Sequence, residues 1–138
     1  MRLDVYLFFN GQARAAIETY ARIFNVPPPE MMTMDQAGPE MEVPPERADW
    51  IMHAAMPFDG ATLMISDDHA ANSAPMDGCN VSATLSTLER AREVFDALAE
   101  GGEVRMTFGP TFWSAGFGVL SDRFGTRWMI SCEDEPAG

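Results

Sequence analysis

The sequence contains no lysine; all nine of its basic positions are arginine. That absence removes Schiff-base catalysis, covalent attachment of pyridoxal phosphate and the lysine of a phosphate-binding P-loop. Cysteine is nearly as scarce, with only Cys79 and Cys132. Two thiols without metal-type spacing, far below the density of a secreted disulfide scaffold, are expected to stay reduced, and neither has an activating partner visible in the sequence. Histidine is confined to His53 and His69. Long apolar runs are missing too: Met1 to Phe9 carries an arginine and about five consecutive apolar residues, short of a membrane span or a signal-peptide core. Basic charge is in short supply, with 9 basic against 21 acidic residues, a net charge of -12 and a pI near 4.3. Nucleic-acid backbones and anionic membranes repel such a chain, so neither is an expected partner, and the expected location is the cytoplasm. A glycine-rich phosphate loop in strand-helix context and a nucleophile elbow are also absent.

What the sequence does have is one phrase written twice. Gly60-Ala61-Thr62-Leu63-Met64-Ile65-Ser66 returns as Gly125-Thr126-Arg127-Trp128-Met129-Ile130-Ser131, a shift of 65 residues. A second match, between Ala16–Tyr20 and Ala91–Phe95, needs a shift of 75, so the first half carries about ten extra residues. The proline-rich stretch from Pro27 to Pro45 supplies them. Each half is too small to bury a good core alone, which argues for one domain of 138 residues built from two modules. Their expected bounds are about 1–68 and 79–133, with a linker at about 69–78.

Leu3 to Phe9 is apolar and aromatic and stops at the turn signal Asn10-Gly11, which predicts a first strand. From Gln12 to Phe24, Ala13, Ile17, Tyr20 and Phe24 recur at helical spacing with Arg14, Glu18 and Arg22 on another face, and Pro27-Pro28-Pro29 ends the helix. Glu30 to Gln36 has room for a short edge strand, whereas Gly38-Pro39 and Pro44-Pro45 make Ala37 to Arg47 a loop. Trp50 to Met56 and Ala61 to Asp67 read as a hairpin. The cycle then restarts: a strand over Cys79 to Leu85, a helix over Thr87 to Glu100 with Thr87 as N-cap and Gly101-Gly102 at its end, and a strand over Glu103 to Thr107. Ser114 to Leu120 pairs with Arg127 to Cys132. The order predicts an α+β fold, two βαβββ modules in tandem forming curled mixed sheets around a cleft with the helices outside. Strand alternation sets His53 with Ile51 and Ala55 on one face and Met52, Ala54 and Met56 on the other. Which face meets the helix is left open by the pattern.

These segments resemble a known group. The residues that carry the likeness are Tyr6-Leu7-Phe8-Phe9-Asn10-Gly11 leading into Ala16 to Phe24, His53-Ala54, and Leu63 to Asp67. The second half adds Phe95-Asp96-Ala97-Leu98 through Gly101-Gly102, Thr111-Phe112-Trp113, and Phe117 to Leu120 through Asp122-Arg123-Phe124-Gly125 to Trp128-Met129-Ile130. Together they are similar to the vicinal oxygen chelate superfamily, the glyoxalase, bleomycin-resistance and extradiol-dioxygenase fold. More narrowly they resemble its PhnB-like branch, often labelled 3-demethylubiquinone methyltransferase-like. The superfamily's usual chemistry implies a divalent metal with open coordination positions, held by His, Glu or Gln from the first and last strands of each module. In this sequence those first strands hold no His or Glu, Asp4 being the nearest acid, and the last strands offer Met64 and Met129. A divalent metal is the cofactor that the resemblance implies, yet its standard ligands are missing and no metal residue is assigned. Nor is there a glycine-rich turn to match the methyltransferase label.

Seven residues are therefore weighed as ligand-binding: Phe8, His53, Ser66, Asp67, Phe112, Trp113 and Arg123. His53 is the best catalytic candidate, as general base or single metal ligand, against a structural hydrogen bond in a half-buried sheet. Ser66 and Asp67, with Asp68 and His69, are either a weak cation site or a turn with capping hydrogen bonds. Phe112 and Trp113 wall a cleft or serve as core or dimer contacts. Arg123 clamps an anionic group or pairs with Asp122. The eleven methionines fit an adaptable cavity and a core equally well. The leading expectation is a homodimeric protein that binds a small hydrophobic or aromatic molecule without the standard metal site. The alternative is an atypical metal-dependent lyase, isomerase or dioxygenase that uses His53.

Overall fold

The computed structural model describes residues 1–137. They form two compact units, Met1–Ala74 and Pro75 onward. The first runs β1 (Val5–Phe9), α1 (Ala13–Phe24), β2 (Met31–Thr33), β3 (Ile51–Pro57) and β4 (Thr62–Asp67). The second repeats the order as β5 (Val81–Leu85), α2 (Leu88–Ala99), β6 (Glu103–Gly109), β7 (Phe117–Ser121) and β8 (Arg127–Cys132). Each unit carries one four-stranded mixed sheet, ordered β1-β4-β3-β2 and β5-β8-β7-β6. The tandem βαβββ arrangement expected from the repeat is the fold. No helix among the described residues is long and apolar enough to cross a membrane.

The duplicated phrase falls on β4 and β8, which occupy the same place in their sheets. β4 runs parallel to β1 with Tyr6 opposite Met64, and β8 runs parallel to β5 with Ser82 opposite Met129. The helices match as well. Ala16, Thr19, Tyr20 and Ile23 of α1 are buried, and so are Ala91, Val94, Phe95 and Leu98 of α2. The spacing of each set at three and four residues draws one stripe down the helix, and that stripe covers one face of the sheet. In the first unit this face is Leu7, Phe9, Ala54, Met56, Leu63 and Ile65, all at most 6% exposed. Ala54 and Met56 are thus the helix side of β3, and His53 and Ala55 look the other way. Ile51 departs from the alternation and is buried, at the point where β2 slips register between Met32 and Thr33.

The proline-rich stretch is more ordered than a loop. Beyond β2 it forms 3-10 turns over Met34–Ala37 and Pro45–Arg47, the first closed by reciprocal bonds between Thr33 and Gln36. Thr87 caps α2 as expected, its hydroxyl accepting from Arg90 N at 3.2 Å. Neither cysteine is in a disulfide.

Two carboxylates tie down segments near the first sheet and are held below the usual carboxylate range. Asp4 is lowered by hydrogen bonds from Arg2 and from the backbone of Thr62, and Asp68 by those from the backbone of Ala70 and the hydroxyl of Ser73. A depressed folded pKa favours the native state above the unfolded value of 3.8, and that contribution disappears as pH falls through 3.8 towards the folded value. The Asp4→Asn/Asp68→Asn double variant is expected to lose less melting temperature than the parent between about pH 5 and pH 3. Calorimetric scans across that window check it, and equal slopes for the two proteins would remove the assignment.

Candidate functional site

The strands of the first sheet expose on the face away from α1 a group of side chains that the hydrophobic pattern would have hidden. Tyr6 and Phe8 share one side of β1 because they are two residues apart, and their rings stack at 5.0 Å with planes 17° apart. Phe8 is 56% exposed. On β3 the imidazole of His53 reaches back to them, Nδ1 lying 2.9 Å from Tyr6 Oη. With the phenol as donor, Nδ1 accepts and the second ring nitrogen carries the proton. Met64 on β4 lies between Tyr6 and Ala55 in register, and exposed Met32 lies opposite His53. The result is a stacked aromatic pair bordered by thioethers, with one polar group at its edge.

Ser66 and Asp67, at the end of β4, have other work. Asp67 is 2% exposed and accepts three backbone N–H bonds: Oδ1 from Gly11 at 2.8 Å and Ala13 at 3.0 Å, and Oδ2 from Ile51 at 3.0 Å. It supplies the N-terminus of α1 with the carboxylate that its own first turn lacks, since Gln12 makes no side-chain cap. Ser66 Oγ donates to the carbonyls of Ile51 and Asp67. These bonds are the capping alternative, made in the interior rather than in a solvated turn. In the second unit the residue equivalent to Asp67 is Cys132, and the acid moves two residues on: Asp134 accepts from Leu88 N at 2.8 Å.

Phe112 and Trp113 belong to the loop between β6 and β7. Thr111 Oγ1 accepts from the backbone of Trp113 and Ser114, and buried Ser114 Oγ donates to the carbonyls of Gly116 and Cys132. On this braced loop Phe112 is 90% exposed, edge-on to Trp113 at 4.7 Å, and Trp113 in turn meets Phe117 at 5.2 Å. Arg123 lies in the turn between β7 and β8 with its guanidinium 4.4 Å over the Phe124 ring. Asp122 accepts from the backbone of Phe124 and Thr126 and from the indole of Trp128. The structure therefore brings Phe8 and His53 to one face and adds Tyr6, a residue of the family-like motif for which the sequence suggests no role of its own. Period-two alternation in β1 was the signal for it. Ser66 lies opposite Phe8 in register with its hydroxyl turned to backbone carbonyls, Asp67 is buried at the start of α1, and Phe112, Trp113 and Arg123 belong to the second unit.

A sequence model of the Glyoxalase/Bleomycin resistance protein/Dioxygenase superfamily matches residues 2–130. The chain belongs to this superfamily. Protein YjdN of Escherichia coli is 31% identical over 142 residues, covering 95% of each chain. Among solved structures, protein PA1353 from Pseudomonas aeruginosa is 38% identical over 99% of both chains with a TM-score of 0.84. The PhnB protein from Bacillus cereus is 25% identical over 96% of this chain and 99% of its own, with a TM-score of 0.76. The PhnB-like likeness read from the motifs stands on that comparison.

Superfamily membership implies a divalent ion on the first and last strands of each module, and the side chains at those places can be tested against it. The register-paired residues facing away from the helices are Tyr6 with Met64 and Phe8 with Ser66 in one unit, Ser82 with Met129 and Thr84 with Ser131 in the other. Thioethers, neutral hydroxyls and a phenyl ring are a poor donor set for a hard divalent ion. No group of three or more His, Cys, Asp or Glu side chains placed to hold an ion occurs among the described residues. The superfamily's ion does not fit these strands.

Proposed function

We propose that this member of the superfamily binds a small hydrophobic, planar molecule on the Tyr6–Phe8 face of its first sheet, as a homodimer and without the divalent ion. The observation that carries this reading is the stacked and exposed Tyr6–Phe8 pair. A third ring laid on such a stack buries its face against a rigid surface at little entropic cost, a gain of about 0.5–1.5 kcal/mol beyond the area covered. Met32 and Met64 adapt to its outline because thioether chains are flexible and polarisable. The N–H of His53, oriented by Tyr6, gives one directional hydrogen bond to an oxygen or nitrogen of the ligand.

The neutral fluorophore N-phenyl-1-naphthylamine is a suitable probe, because an anionic dye would be repelled by a chain of charge -12. Saturable binding is expected, weakened roughly tenfold by Phe8→Ala and unchanged by Val104→Thr on β6. Equal binding by the parent and the Phe8→Ala protein would remove this face as the site. Sedimentation of the same samples reads the assembly, and a monomer at micromolar concentration would contradict the dimer. A stoichiometric divalent ion in protein purified without chelator, lost on His53→Ala, would instead support a metal-dependent lyase, isomerase or dioxygenase.

A further inference from the structure

The second unit's sheet gathers a different set of side chains. Arg127 on β8 lies directly opposite Ser121 on β7. Arg105, the residue passed over where β6 slips register between Val104 and Met106, donates from Nε to Ser121 Oγ at 2.8 Å. One guanidinium thus bonds the Ser121 hydroxyl, and a second arises from the residue opposite that serine in register. The Arg127 side chain is only 20% exposed, and its Nη1 donates at 3.0 Å to Asp77, whose own side chain is 94% exposed. Arg127 Nε is buried with no partner. So is Oδ1 of Asn80, which precedes the Val81–Trp128 register pair and so stands beside Arg127. Glu103, opposite Ser121 on the other side, forms no ion pair among the described residues.

We propose that Arg105, Ser121 and Arg127 form a clasp for an oxyanion carried by a small molecule. Neighbouring like charges on a sheet repel, and a guanidinium withdrawn from water is unfavourable until its donors are used. Arg105 spends Nε on the serine and keeps both of its Nη groups, while Arg127 spends one Nη on an exposed carboxylate. The serine oxygen accepts from Arg105 and keeps its own proton to donate. An oxyanion entering here takes up those donors, and the planar fork of guanidinium matches carboxylate and phosphate alike. Asp77 already shows that Arg127 accepts a carboxylate, held at the surface where an incoming one can replace it. Glu103 disfavours a second negative charge on the ligand, so a monoanionic carboxylate is favoured over a phosphate dianion. The clasp lies wholly in the second unit and does not depend on the Tyr6–Phe8 face.

Side-chain Nε–H resonances of the full chain report on it directly, followed during titration with sodium benzoate, sodium phosphate or sodium chloride at matched ionic strength. Saturable shifts of the Arg105 and Arg127 signals are expected with benzoate, weaker ones with phosphate, and none with chloride. Arg105→Gln should weaken benzoate binding at least tenfold and Asp77→Asn should strengthen it. Arg92→Gln, whose guanidinium stacks over Phe108, should leave it unchanged. Should Arg127→Gln fail to fold, Arg105→Gln on the exposed edge strand carries the test. Shifts that rise linearly in all three salts, or saturation that persists in Arg105→Gln, would overturn the clasp. Either result leaves the fluorophore experiment on the first unit standing, and loss of fluorophore binding leaves this one standing.

Discussion

Asp67→Ala is expected to destabilise the protein by about 3–5 kcal/mol, lowering its melting temperature by roughly 10–20 °C. The carboxylate is the shared acceptor of N–H groups from Gly11 and Ala13, at the junction of β1 and α1, and from Ile51 at the start of β3. Removing it leaves buried donors unpaired, and each unpaired donor costs about 1–3 kcal/mol. The helix loses the carboxylate bonded at its N-terminus at the same time, and the first turn of α1 contains no acid to replace it. Asp67→Asn separates the contributions. It keeps an acceptor for Gly11 and Ala13 and turns an amide N–H toward that of Ile51, so about half of the loss is expected. Asp59→Ala, at an exposed turn, is the comparison and should stay within about 0.5 kcal/mol. Chemical denaturation reads all three; a loss under about 1 kcal/mol for Asp67→Ala would mean that the three N–H groups find other acceptors.

Gly102→Ala is expected to cost about 3 kcal/mol or more, although it adds a single methyl group. A Cβ at this position would lie 2.2 Å from the carbonyl oxygen of Ser121 and 2.9 Å from the backbone of Asp122. These are backbone atoms of the β7–β8 hairpin and cannot rotate aside as a side chain would. The neighbouring Gly101 has φ +76°, and an added Cβ there would meet only the Arg123 side chain at 3.3 Å. Gly101→Ala therefore bears a conformational cost of about 1–2 kcal/mol and should be the milder of the pair. A reversed order would mean that the approach of the hairpin to Gly102 is looser than the structure shows.

That pair of glycines illustrates how far the sequence is legible. Gly101-Gly102 after a helical run reads correctly as a helix end, because the left-handed backbone at Gly101 is a local requirement. The reason for the second glycine is a strand some twenty residues further along, and no local pattern contains it. The same division runs through the candidate site. Alternation groups Tyr6 with Phe8, and His53 with Ala55, because side-chain direction in a strand follows from the backbone alone. It does not say which face the helix covers, and so it leaves open whether those groups are core or surface. Asp67 was legible as a polar residue after a hairpin, but its partners at Gly11 and Ala13 come from the opposite end of the unit.

The sequence by itself determined the duplication, the order of strands and helices in both units, and the poverty of metal ligands on the strands that matter. Each of these rests on local periodicity or on residue type, which need no knowledge of what packs where. Only the tertiary structure decided that Phe8 and Tyr6 are a displayed stack with His53 bonded at its edge, and that Asp67 is spent inside. It alone brought Arg105 to the hydroxyl of Ser121, the residue opposite Arg127. Exposure and hydrogen-bond pairing depend on strand register and on the helix that covers each sheet, and those are set by contacts between residues far apart in the chain.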